Sequence, residues 1–115
     1  MSKFFDVDGR TVWSPASGRA ERFMERVAML ERELGVPSGI APVLADEHDI
    51  DGAVFGAFVA AMLAREGPGE TGEGTGDTAA VLLVLAERAG LDAGAAAWDP
   101  RWFERARAAS RCMPR

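Results

Sequence analysis

The most regular hydrophobic pattern in the chain lies between Ser14 and Gly35. Apolar residues recur there every three or four positions with charged residues between them, which predicts an amphipathic helix over about residues 15–34. Ser14 is expected to cap this helix, and Pro15 to occupy its first position. Gly35 is expected to end it in the left-handed conformation, before Pro37 prevents any continuation.

Three more segments have helical patterns. A broad apolar face predicts a second helix over residues 52–65, with Asp51 as its N-cap. Residues 79–86 are apolar on every side, which predicts a third, central helix over residues 78–89. A last helix is predicted over residues 100–110.

Two β-prone runs flank an Asp8-Gly9 dipeptide near the start of the chain. Asp-Gly between such runs favours a two-residue type I′ turn, so a β-hairpin is predicted over residues 4–13. Simple pairing across that turn places Phe5 opposite Val12 and Phe4 opposite Trp13.

In that register both faces of the hairpin carry an aromatic ring, and both outer edges carry unpaired backbone groups. We therefore expect a homodimer in which two hairpins pair about a two-fold axis. The alternative is a hairpin lying flat on the helices with its outer face half exposed.

Residues 67–77 contain five glycines and three acids, which predicts a flexible loop. The 115 residues suffice for a single domain over residues 1–115. The predicted fold is mainly α, with an N-terminal β-hairpin packed on a three- to four-helix bundle.

The net charge of −5 is unevenly spread along the chain. Residues 41–78 carry eight acids and one base, whereas residues 98–115 carry five arginines and two acids. These two regions could pair within one molecule or between two molecules. An acidic protein with no basic stripe is not expected to bind nucleic acid.

The longest uncharged apolar run, residues 78–86, is far shorter than the ~20 residues that span a bilayer. The start of the chain shows no apolar leader segment, and Cys112 is the single cysteine. We therefore expect a cytoplasmic protein that does not associate with membranes.

Four carboxylates surround the only histidine in residues 44–52. The favoured interpretation is that Asp51 caps the second helix while the other acids remain in solvent near the helix N-terminus. The alternative is a divalent cation site, although the spacing is not that of an EF-hand. The residues of this alternative metal site are Asp46, Glu47, His48, Asp49 and Asp51.

A wider version of the cation site would add Glu21 and Glu25 from the first helix. Together with Glu47 and Asp51, they resemble at wider spacing the paired acids with which all-α nucleotide pyrophosphohydrolases hold magnesium.

No catalytic residue or cofactor fingerprint is assigned. Ser38 lies beside a glycine but lacks the nucleophile-elbow pattern, and Cys112 has no second cysteine near it. Aromatic residues at the ends of elements are candidates for an interface. These interface candidates are Phe4, Trp13, Trp98 and Trp102.

Several short runs resemble a family of short actinobacterial proteins of unassigned function. The resemblance covers about the first half of the chain and implies no activity. It suggests that the hairpin, the Gly35–Ile40 loop and the acidic segment act as one unit. The runs are FDVDG at 5–9, VWSP at 12–15, LGVPSGI at 34–40 and ADE at 45–47.

The sequence therefore favours a small cytoplasmic binding or accessory protein that acts through an unknown protein partner and needs no cofactor. The alternative is a small helical enzyme or divalent-metal-binding protein. It would act through residues 46–51 on a small molecule, for example a phosphorylated or biosynthetic one.

Overall fold

The computed structural model describes residues 2–65, 75–91 and 99–115. Within these ranges the chain forms a small sheet near its N-terminus and four helices, so the mainly α class is confirmed. Trp98 and residues 67–74 of the predicted loop lie outside the described ranges. The elements are β1 (Phe4–Val7), β2 (Arg10–Trp13), α1 (Ser17–Leu34), β3 (Glu47–Asp49), α2 (Gly52–Arg65), α3 (Thr75–Arg88) and α4 (Pro100–Ser110).

Helix α3 lies at the centre of the fold, as expected of a helix without a polar face. Residues 78–86 are all buried, and the helix contacts α1, α2, α4 and β2. It begins at Thr75 rather than at residue 78, so the last residues of the predicted glycine-rich loop are helical. No helix in the described ranges combines the length and the apolar character needed to cross a lipid bilayer.

Helix α1 begins later than its sequence predicts. Its N-cap is Ala16, which makes no side-chain capping bond, and Ser14 and Pro15 lie outside the helix. The physical reason is backbone pairing: the Ser14 N–H donates to the Pro114 carbonyl, and the Pro15 carbonyl accepts from Lys3. At the other end the Gly35 cap is confirmed, with φ of 67°.

The β1–β2 register differs from the predicted one. Beyond the Asp8-Gly9 turn an irregularity shifts the pairing, and Phe5 lies opposite Trp13 instead of Val12. Val12 and Trp13 are consecutive yet both are buried, which simple strand alternation forbids. A bulge resolves that conflict because it lets two successive side chains lie on the same side of the sheet.

A third strand, absent from the predicted fold, completes the sheet. Strand β3 pairs parallel with β1, with His48 opposite Phe5, and the strand order is β2-β1-β3. β1 is therefore the central strand and has no open edge for pairing with a second hairpin.

The edge strand β2 is bound to helix α3 by a side chain. The Val12 carbonyl of β2 accepts a hydrogen bond from the guanidinium of Arg88 in α3 at 2.9 Å.

The C-terminal segment after α4 returns to β2 and α1. Met113 is buried, and the Cys112 carbonyl accepts from Arg19 at 2.7 Å. The Arg88 guanidinium, which donates to Val12, also donates a hydrogen bond to the Ser110 carbonyl at the end of α4. Burial lowers the pKa of Arg88, the positive charge of Arg115 lowers it further, and Glu87 opposes both effects. Met113 thus belongs to the core, and hydrogen bonds from Arg19 and Ser14 hold the exposed residues on either side of it.

Neighbouring phenylalanines on β1 provide a matched test of this fold. Phe5 is buried completely and Phe4 is 39% exposed. We expect Phe5→Ala to lower the free energy of unfolding by about 3–5 kcal/mol and Phe4→Ala by less than about 1 kcal/mol. Urea unfolding followed by circular dichroism measures both values. Equal losses for the two variants would contradict the observed register.

Candidate functional site

Strand β3 divides the acidic segment between two sides of the sheet. Alternation buries His48 and leaves Glu47 and Asp49 exposed. The His48 ring stacks on Phe5 with a centroid distance of 4.6 Å, and its Nδ1 lies 2.8 Å from the Ala41 carbonyl oxygen. His48 is therefore a core residue that links the strand to the preceding loop.

The other acids of the segment have separate structural partners. Asp46 forms an ion pair with Lys3 at 2.7 Å. Asp51 accepts from the backbone N–H of Val54 at 3.3 Å, which confirms its role as the cap of α2. Across the described ranges, no three acidic, histidine or cysteine side chains are placed to hold a metal ion.

The loop before β3 is held by local polar bonds. Ser38 is almost completely buried, its N–H donates to a Glu31 carboxylate oxygen at 2.9 Å, and its hydroxyl accepts from the N–H of Ile40. The hydroxyl therefore has a structural role. Gly39 adopts a φ of 77°, and a Cβ there would lie 2.9 Å from the Asp51 carbonyl oxygen.

The tight turn that leads into β3 has an unusual backbone. Ala45 and Asp46 both have positive φ, 52° and 65°, and backbone hydrogen bonds join Leu44 to Glu47 in both directions. Left-handed backbone costs about 1–2 kcal/mol per non-glycine residue. The turn is held in place because the Phe4 N–H donates to the Asp46 carbonyl at 2.8 Å.

This turn and the outward positions of β1 and β3 form one surface, here called the outer sheet face. Phe4 pairs with Glu47, and Asp6 pairs with Asp49. Leu44 in turn bridges to Glu47. Because directly paired residues point to the same side of a sheet, these side chains lie together. The outer sheet face consists of Phe4, Asp6, Leu44, Glu47 and Asp49.

The outer sheet face combines exposed apolar groups with negative charge. Leu44 is 80% exposed and Phe4 is 39% exposed, beside three carboxylates. Such a surface can bind an apolar group surrounded by basic ones. Leu44 was not among the interface residues predicted from the sequence. An apolar residue directly before Ala-Asp-Glu, in a turn-prone stretch, could have indicated an exposed apolar side chain there.

The predicted interface residues occupy different environments. Trp13 is fully buried, stacks on Phe5 at 5.0 Å and meets the Phe23 ring edge-on. Its Nε1 has no hydrogen-bond partner among the described residues. Trp102 is also buried, beneath the Arg105 guanidinium. In the described part of the chain, Phe4 is the only one of the candidates that presents substantial surface.

Comparison with known proteins identifies a family but no activity. A model of the family of unknown function DUF6086 matches residues 1–115, so the chain belongs to this family. The match extends beyond the first half of the chain, to which the sequence resemblance was limited. No curated protein and no solved structure matches the chain.

Gly35 and Gly39 have similar positive φ angles, 67° and 77°, and together they test how tightly the loop at residues 38–40 packs against α2. An added Cβ meets nothing within 4 Å at Gly35, but at Gly39 it meets backbone atoms at 2.9 and 3.0 Å. Both alanine variants carry the left-handed strain of about 1–2 kcal/mol. We expect Gly39→Ala to lose about 1–3 kcal/mol more than Gly35→Ala in urea unfolding. Equal losses would mean that the loop can move away from α2.

The acidic side chains of residues 46–51 do not converge on one point with His48, and this leads to a prediction about divalent cations. Because His48 points into the core and Glu47 and Asp49 lie on the opposite side, we expect Mn²⁺ and Zn²⁺ to give no saturable rise in melting temperature. Thermal-shift titration measures this. A saturable rise that Asp46→Ala and Asp49→Ala abolish would contradict the prediction and restore the metal-site alternative.

Proposed function

We propose that this DUF6086 protein is a small cytoplasmic binding or accessory protein that acts through protein–protein interaction at its outer sheet face. The observation that supports this most strongly is Leu44, a large apolar side chain that is 80% exposed on a backbone turn fixed by hydrogen bonds. Its partner would cover Leu44 and Phe4, which pair with Glu47 from its two sides.

Two energetic properties of the turn favour a binding role: the apolar surface that a partner could bury and the fixed backbone. A single exposed leucine is common on protein surfaces, but here it lies on a strained turn, and the exposed Phe4 is on the same face of the sheet, across Glu47. Burial of a leucine side chain contributes about 1.5–3 kcal/mol. Because Ala45 and Asp46 are already held in their conformation, this turn loses little backbone entropy when a partner binds to it.

The acids of the outer sheet face define the chemistry of the partner. Asp6 and Asp49 are paired across adjacent strands, and like charges in that position repel. Basic side chains from a partner would relieve this repulsion and accelerate association at low ionic strength. The partner should therefore present an apolar contact bordered by arginine or lysine.

The enzyme or metal-protein alternative receives less support from the described residues. It requires His48 to act with the carboxylates of residues 46–51, yet the ring is stacked in the core and its Nδ1 faces a backbone carbonyl. The Ser38 hydroxyl is likewise buried, and it accepts a hydrogen bond from the Ile40 N–H.

Photo-cross-linking can test the binding proposal. A benzophenone amino acid is placed at Leu44 in one variant and at Met29 in the control, because Met29 is also an exposed apolar side chain, at 51%, but lies on α1. We expect a defined protein adduct from residue 44 and none from residue 29. The adduct is identified by mass spectrometry, and the complex is reconstituted from purified proteins.

In the reconstituted complex, Leu44→Asp should weaken binding by about 2 kcal/mol, on the order of 30-fold. Met29→Asp should leave the affinity unchanged. Equal cross-linking from the two positions, or equal affinity of the two aspartate variants, would contradict the proposed surface.

A further inference from the structure

Helix α4 carries the charge complement of the outer sheet face. Trp102 and Ala106 are buried, and α4 packs on α3. Phe103, Arg107 and Arg111 follow one another at intervals of one helical turn, and all three are exposed. These three residues are here called the α4 arginine stripe. It joins an apolar ring to two guanidinium groups in one row.

The two surfaces do not neutralise each other within one molecule. Lys3 forms an ion pair with Asp46, and Arg101 forms one with Asp99. Neither pair connects the outer sheet face to the α4 arginine stripe. On the described part of the fold, the outer sheet face carries three acids and the α4 arginine stripe carries two arginines.

We propose that the outer sheet face binds the α4 arginine stripe of a second copy of this chain. This inference rests on the proposed function and specifies its partner. Leu44 and Phe4 would pack on the Phe103 ring of the other copy, since all three are large exposed apolar side chains. The contact would remove apolar surface from water on both copies.

The charges determine which surfaces meet. Glu47 and Asp49 face the same side of the sheet, and Arg111, the C-cap of α4, lies about one helical turn after Arg107. Carboxylates and guanidinium groups form charge-assisted hydrogen bonds, which are stronger than neutral ones. Two outer sheet faces would instead bring acids against acids, so the contact joins unlike surfaces.

A contact between unlike surfaces has consequences for assembly. Each copy carries one surface of each kind, so the contact either closes into a ring or a reciprocal pair, or continues into a longer assembly. This differs from the two-fold hairpin pairing predicted from the sequence, because it leaves the strand edges unused.

Charge reversal on each surface gives a complementation test. One variant carries Glu47→Arg and Asp49→Arg, and the other carries Arg107→Glu and Arg111→Glu. Sedimentation velocity is measured at about 0.01 M ionic strength, where screening sets in only beyond about 30 Å. We expect the unmodified protein to self-associate and each variant alone to be monomeric.

An equimolar mixture of the two variants should associate again, because each supplies the surface charge that the other has lost. Recovery also shows that both variants are folded, as does an unchanged circular dichroism spectrum. Leu44→Asp should raise the dissociation constant of the unmodified protein on the order of tenfold or more, and Met29→Asp should leave it unchanged.

A protein that stays monomeric at all concentrations and at low salt would overturn the inference. So would self-association that survives both charge reversals. Either result leaves the proposed function to be tested by cross-linking from residue 44. An adduct with a protein other than this chain would support the proposed function, and the absence of any adduct would contradict it as well.

Discussion

The pairing of β1 with β3 is the constraint on which the rest of the N-terminal half depends. It places the His48 ring 4.6 Å from Phe5, whose other contacts are Trp13 at 5.0 Å and Phe23 at 5.6 Å. Once Phe5 and His48 point inward, alternation directs their neighbours outward. The same contact thus forms the core of the sheet and creates its exposed acidic and apolar face.

The helices were predictable because their signals are local. Gly35 ends α1, Asp51 caps α2 and Asp99 caps α4 through bonds to residues within four positions of themselves. The burial of α3 on every side follows from its composition. The start of α1 was not predictable in this way, since Ser14 bonds to Pro114 at the far end of the chain.

The sheet was less predictable because its pairing is not local. The shift in the β1–β2 register reflects the need to bury both Val12 and Trp13, and β3 is a three-residue strand of polar side chains with low β propensity. The sequence does contain a pattern that predicts which side chains of the acidic segment are buried. In the run from Glu47 to Ile50, acidic residues alternate with His48 and Ile50, which is the pattern of a half-buried strand.

The attachment of the tail to Ser14, directly after β2, has consequences for how the protein folds. Ser14 and Pro114 are 100 positions apart, and they hydrogen-bond across that separation. Contacts so distant in sequence slow folding relative to helical proteins of similar size, because the entropy of closing the loop is lost before the contact forms. During synthesis on the ribosome, α1 and β1 emerge long before Met113. The nascent chain therefore leaves the apolar surface that Met113 covers exposed to water until residues 113 and 114 have left the ribosome.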